Sequence, residues 1–232
     1  MPDLQTHIIL LAERRCQIAQ FGQPDFLLLQ PVDARETLTQ EASLLASQDT
    51  SGFLHVAFPV DAWNHELSPW DAPPVFGKAA FGHGAAATLS WLLARLIPAV
   101  RAQYSVAADM PVILGGYSLA GLFSLWSATR TDAFAAIAAM SPSVWYPNWA
   151  TYAQENAFRT RAVYLSLGDR EARSRNPLLA TVEDAIRAQS ALLDAQGIPH
   201  MLHWNVGNHF QDGEKRCADG FQWCMAQFPG RI

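Results

Sequence analysis

Short apolar runs alternate along the chain with longer stretches whose apolar residues recur every three or four positions. His7–Leu11 and Cys16–Ala19 flank the charged Glu13-Arg14-Arg15 and predict two antiparallel strands joined by a turn. Phe26–Gln30, Phe53–Phe58, Val112–Gly116, Ala162–Leu167 and Met201–Val206 predict further strands. Phe134–Met140 predicts another, although its alanines also suit a helix. Helical spacing runs through Thr37–Ser47, where Leu38, Ala42 and Leu45 share a side, and through Ala85–Gln103, with a kink expected near Pro98. It recurs in Ser118–Thr129, in Pro177–Gln196, which Gly197 and Pro199 end, and in Gly213–Phe228. Strands separated by helices predict a mostly parallel sheet of about eight strands, covered on both faces, in one α/β domain over residues 1–232.

Ligands of such sheets lie beyond the carboxyl ends of the strands. The loops that matter are therefore Gln30–Asp33, Asp61–Asp71, Met140–Trp149, Gly168–Asn176 and Gly207–Asp212.

Composition narrows the function classes. The 232 residues are 50% hydrophobic and 16% charged, with a net charge of -5 and only two lysines, Lys78 and Lys215. That balance argues against a nucleic-acid partner. No secretory leader is read at the N-terminus and no apolar run approaches a membrane span, so the expected location is the cytoplasm and no membrane partner is expected. Cys217 and Cys224 are seven apart on a predicted helix, too far for a disulfide, and the three cysteines read as free thiols. No HExxH, paired CxxC or GxGxxG pattern occurs, so no metal or other cofactor is expected. Oligomeric state is open.

One segment carries chemistry. Pro111–Gly121 is an apolar run, two glycines, Tyr117, Ser118 and then a helical pattern. A strand turning sharply into a helix around a serine exposes the hydroxyl and aims the helix N-terminus at the reaction site. Ser118 is the candidate nucleophile; Gly116 before it and Ala120 and Gly121 after it are small enough for the turn. Such a serine needs a base. His209 follows the last predicted strand and is the preferred base, with His83 and His65 as competitors. In the chain order serine, acid, histidine, the acid falls in Gly168-Asp169-Arg170-Glu171; Glu171 is preferred and Asp169 is the alternative. The expected oxyanion donors are the N–H of Leu119 and that of Val32 or Asp33. Trp63, Trp70, Trp145 and Trp149 lie in two of the edge loops and are expected to wall a pocket, with Tyr117 and Ser143 beside it.

Gly116-Tyr117-Ser118-Leu119-Ala120-Gly121, Met140-Ser141-Pro142-Ser143-Val144-Trp145-Tyr146 and Gly168-Asp169-Arg170-Glu171 together resemble the esterase D-like, enterochelin esterase-like branch of the α/β-hydrolases. The likeness runs from about the third strand to the C-terminus. It implies a three-layer α/β-hydrolase fold without a cap domain. It also implies Ser118 and His209 as the catalytic serine and base, and an acid three residues beyond a strand-ending glycine, at Glu171. Gln30-Pro31-Val32-Asp33 departs from the Asp-Gly or His-Gly often found in the family's third-strand loop. The function so implied is cleavage of a small-molecule carboxylic ester or thioester through an acyl-enzyme. Transfer of the acyl group to an alcohol or amine, or ligand binding on an inactive hydrolase scaffold, are the other readings.

Overall fold

The computed structural model describes residues 3–48, 51–75 and 77–228. Its centre is an eight-stranded sheet of β1 (Leu4–Leu11), β2 (Arg14–Phe21), β3 (Phe26–Asp33), β4 (Phe53–Val60), β5 (Val112–Tyr117), β6 (Ala136–Met140), β7 (Ala162–Gly168) and β8 (His200–Asn205). The spatial order is β1-β2-β4-β3-β5-β6-β7-β8. β2 runs antiparallel to β1 and β4, and all other neighbours are parallel. The expected α/β class, with a mostly parallel sheet of about eight strands and helices on both faces, is the observed one.

Strand alternation divides the core. On β6, Ile137 and Ala139 face one helical layer, while Ala136, Ala138 and Met140 face the other. The first layer holds α3 (Ala85–Trp91), a π-helical turn Leu92–Leu96, α4 (Ile97–Tyr104), α5 (Leu119–Arg130) and α8 (Val182–Ala195). The second holds α1 (Thr39–Ala46) and α9 (Gly213–Ala226). The alanines of β6 serve this sandwich. A Cβ on Gly220 of α9 would come within 2.7 Å of Met140 Sδ, so the helix rides close to the strand.

Several boundaries differ from the sequence reading. The hairpin turn is Ala12-Glu13, both left-handed at φ 46° and 72°, so Arg14 and Arg15 already belong to β2. The long helix does not bend sharply at Pro98. Pro98 has no N–H for the Ala94 carbonyl, and the helix widens into the π turn just before it. Ala85–Tyr104 is long and apolar enough to cross a membrane, contrary to the expectation of no such run. Here Leu89, Leu92, Leu96 and Val100 pack it into the core. The helix expected over Pro177–Gln196 breaks at Thr181, whose hydroxyl donates to the Leu178 carbonyl at 2.7 Å, leaving a short α7 (Pro177–Ala180) before α8. β8 ends at Asn205, and Val206, assigned to it from sequence, is exposed. Two helices were not foreseen, α2 (Trp63–Glu66) and α6 (Trp149–Glu155).

Candidate active site

Parallel pairing brings the carboxyl ends of β5, β7 and β8 to one edge, and the loop after each carries one of the candidate side chains there. Ser118 sits between β5 and α5 at φ 59°, ψ -119°, a region that non-glycine residues enter only under strain. The turn is held from both sides. The Ser118 N–H donates to the Met140 carbonyl at 3.0 Å, and its carbonyl accepts from Ser143 N–H at 3.0 Å and Leu122 N–H at 3.1 Å. Small residues are needed close to it. A Cβ on Gly116 would meet Ala120 Cβ at 2.5 Å, and one on Gly121 would meet the Gly116 carbonyl at 3.0 Å.

Ser118 Oγ lies 3.0 Å from His209 Nε2, and His209 Nδ1 lies 2.6 Å from Glu171 Oε2. Hydroxyl, imidazole and carboxylate thus form one hydrogen-bonded line. Such a line can take the proton off the hydroxyl and stabilise the imidazolium that results. The Glu171 side chain is 4% exposed. Its second oxygen, Oε1, accepts from Ser141 Oγ at 2.7 Å, Gly168 N–H at 2.7 Å and Arg216 Nη1 at 2.9 Å. Burial alone would raise this carboxyl, but the hydrogen bond and charge of His209, with the Ser141 and Gly168 bonds, outweigh it. The group is held below the usual carboxylate range.

Arg216, on α9, was not singled out from sequence. Its side chain is 1% exposed, and Nη1 reaches Tyr117 Oη at 2.9 Å and Ser141 Oγ at 3.1 Å as well as Glu171. Nη2 donates to the Asn208 carbonyl at 3.0 Å, in the loop that carries His209. Tyr117 Oη donates to the His209 carbonyl at 2.9 Å, and its ring lies 5.2 Å from the imidazole. One guanidinium therefore ties the acid, the histidine loop and the residue before the serine together. A signal was present: Arg216 lies on a helix stripe that continues with the buried Gly220 and Cys224, and a charge on a buried stripe needs partners.

The other expected residues divide. Asp169 does not meet His209; its Oδ1 accepts from the Gly207 N–H at 2.8 Å and so ties β7's loop to β8's. His83 pairs instead with Asp71 at 2.9 Å and meets His65 edge to face, and neither ring lines the cleft beside Ser118. That cleft, of about 320 Å³, has Trp145, Leu179, Val182 and Phe210 as apolar walls. Trp63, Trp70 and Trp149 do not line it. Trp63 packs on the core, Trp70 donates to the Pro147 carbonyl at 2.9 Å, and Trp149 donates to Gln189 Oε1 at 2.9 Å. Those loop indoles found partners within the protein. Ser143 is buried, with Oγ 3.4 Å from Ser118 Oγ. Tyr117 supports the histidine rather than the cleft wall.

Leu119 opens α5, where an N–H has no acceptor within the helix. Val32 is a different matter. Leu27 N–H donates toward β5, to the Pro111 carbonyl at 3.0 Å. Alternation along β3 then turns the Val32 N–H toward β4 and the Asp33 N–H toward the β5 side. The Asp33 N–H lies 3.2 Å from Glu36 Oε2. Among the described residues, no group of three or more histidine, cysteine or carboxylate side chains is arranged to hold a metal ion.

Residues 28–211 match the family model described as putative esterase, well over half of the chain. The protein belongs to this esterase family. No curated protein matches the sequence. Among solved structures, the chain is similar to an IroE-like serine hydrolase from Shewanella oneidensis, with a TM-score of 0.74 and 16% identity over 95% of this chain and 79% of the other. It is also similar to the siderophore hydrolase EstA from Aspergillus nidulans, with a TM-score of 0.75 and 17% identity over 97% and 94% of the two chains. The enterobactin esterase FES from Shigella flexneri gives a TM-score of 0.67 and 16% identity over 97% of this chain but 59% of the other. At these identities the structures establish a common fold.

Proposed function

We propose that this esterase-family protein hydrolyses small carboxylic esters or thioesters by a serine acyl-enzyme mechanism. The observation that carries the reading is the hydrogen-bonded line Ser118–His209–Glu171 opening onto a cleft. His209 Nε2 takes the Ser118 proton as Oγ attacks the acyl carbon. Glu171 holds the proton-bearing Nδ1 and offsets the imidazolium charge. The Leu119 N–H, at the positive end of α5, is one oxyanion donor. The Asp33 N–H is the second, once Glu36 moves off it, and replaces Val32 in that role. His209 then gives the proton to the leaving alcohol, and water activated by the same ring releases the acid. Three buried free thiols suit a reducing compartment, and the cytoplasm is the proposed location.

The reading is tested with p-nitrophenyl acetate and butyrate. Steady hydrolysis by the wild type, with a nitrophenolate burst wherever deacylation is the slower step, is the expected result. A folded wild-type protein that releases no nitrophenolate from either ester would end it.

A further inference from the structure

We propose that the cleft selects esters whose alcohol half carries an anionic group, a carboxylate on an aromatic or apolar body, and that Arg170 and Arg173 supply this preference. The inference rests on the ester-hydrolase reading and specifies its substrate.

The chain as a whole is acidic, at -5. The cleft reverses that sign. Arg170 and Arg173 line it, and the carboxylate in its wall is Glu171. Glu171 is 4% exposed, and its oxygens are taken by His209, Ser141, Gly168 and Arg216. Its oxygens are committed to those partners, so the charged residues left to meet a bound molecule are Arg170 and Arg173. A single turn produces this division. Glu171 N–H donates to the Gly168 carbonyl and Arg173 N–H to the Arg170 carbonyl, each at 3.1 Å, while Arg170 N–H donates to the Gly207 carbonyl at 3.0 Å. Asp169 lies 3.7 Å from Arg170 Nε and offsets part of that charge. Among the described residues no salt bridge is formed by Arg173, which is exposed and at hand for a ligand carboxylate.

The cleft also lies on a defined side of the serine. It is bounded by Asn208, His209 and Phe210, and neither Leu119 nor the end of β3 lines it. The group next to His209 must be the alcohol oxygen, because that ring protonates it. The alcohol half therefore extends between Trp145, Leu179, Val182 and Phe210 toward the arginines. Phe210, one of these walls, is 90% exposed.

The test uses two esters of one shape, 4-carboxyphenyl butyrate and 4-carbamoylphenyl butyrate. Their binding to the Ser118→Ala protein is measured by calorimetry, so that turnover plays no part. The carboxylate ester is expected to bind about fivefold more tightly at low salt, as a few partly exposed charge contacts allow. The preference should shrink toward unity at roughly 0.5 M salt, and again in an Arg170→Gln, Arg173→Gln background. In the Ser118 protein, the ratio of kcat/KM for the two esters should follow the same pattern. Equal binding of the two esters, or a preference that survives loss of both arginines, overturns the inference. Selective, arginine-dependent binding by a protein that cleaves neither ester would instead remove the hydrolase reading and leave the anion site standing.

Discussion

Two carboxyl groups are buried against consecutive residues of α9, one ionised and one neutral. Glu171 meets Arg216, two further donors on the same oxygen and His209 on the other, and is held below the usual carboxylate range although burial opposes this. Glu41 meets Cys217 and the Gln30 amide, which donates to Oε2 at 3.2 Å. Its Oε1 has no hydrogen-bond partner among the described residues, and burial pushes the carboxyl up to about 8. Nearby His55 is pushed down to about 3 by burial, so its 3.8 Å approach to Glu41 is not an ion pair near neutral pH. Both side chains are nearly closed to solvent, at 4% and 7% exposed; the supply of donors differs. The one buried guanidinium among the described residues stands beside the carboxylate that faces His209, and the second carboxyl is left as a neutral acid.

The sharpest way to break the contrast is Glu171→Gln. It keeps the shape but loses the charge opposite His209, and kcat for p-nitrophenyl butyrate should fall about 10³–10⁴-fold. The same variant tests the linkage. A carboxyl whose folded value is lowered stabilises the fold above its unfolded value, and that stability is lost as pH falls through the folded one. The wild type should therefore lose urea resistance more steeply than Glu171→Gln below about pH 4.5.

Arg216→Met removes the donor side of the contrast. Taking the guanidinium out of its buried cluster with Glu171, Ser141, Tyr117 and the Asn208 carbonyl should cost about 3–5 kcal/mol of unfolding free energy, measured by urea denaturation. Arg216→Lys keeps the charge without the two-pronged reach and should recover only part of that stability and of kcat.

Glu41→Gln tests the opposite case. Between 4.5 and about 8 the folded chain holds a proton on Glu41 that the unfolded chain has lost, so stability falls as pH rises through that window. The substitution should flatten the slope by on the order of a few kcal/mol across it, read from urea midpoints. The smallest effect belongs to Asp169→Asn. The amide oxygen can still accept from the Gly207 N–H, so kcat should stay within about twofold of wild type while Glu171→Gln collapses. A collapse at Asp169 with activity kept at Glu171 would reverse the assignment of the acid.

The strands and the positions of Ser118, His209 and Glu171 were legible because each is written locally, as an apolar run ending in glycine or a turn at a strand's carboxyl end. The small residues around Ser118 are read the same way, and at Gly116 the 2.5 Å approach to Ala120 Cβ leaves no room for a side chain. Arg216 and Ser141 were not legible as a unit. They meet Glu171 from α9 and from the end of β6, and only the sheet order brings those elements together. The indoles misled for a related reason. A tryptophan in a loop looks like a pocket wall until a backbone carbonyl such as that of Pro147 takes its N–H. Which of Val32 and Asp33 turns its N–H toward the β5 side depends on strand parity, which one interstrand hydrogen bond decides.

The central claim is that Ser118 is the nucleophile that His209 and Glu171 activate, and covalent labelling by a fluorophosphonate tests it most directly. Intact-mass analysis followed by peptide mapping should place one phosphonyl group on Ser118 of the wild type and none on folded Ser118→Ala, with labelling strongly slowed in Glu171→Gln. Unlabelled, folded wild-type protein, or equal labelling of Ser118→Ala, would contradict the account.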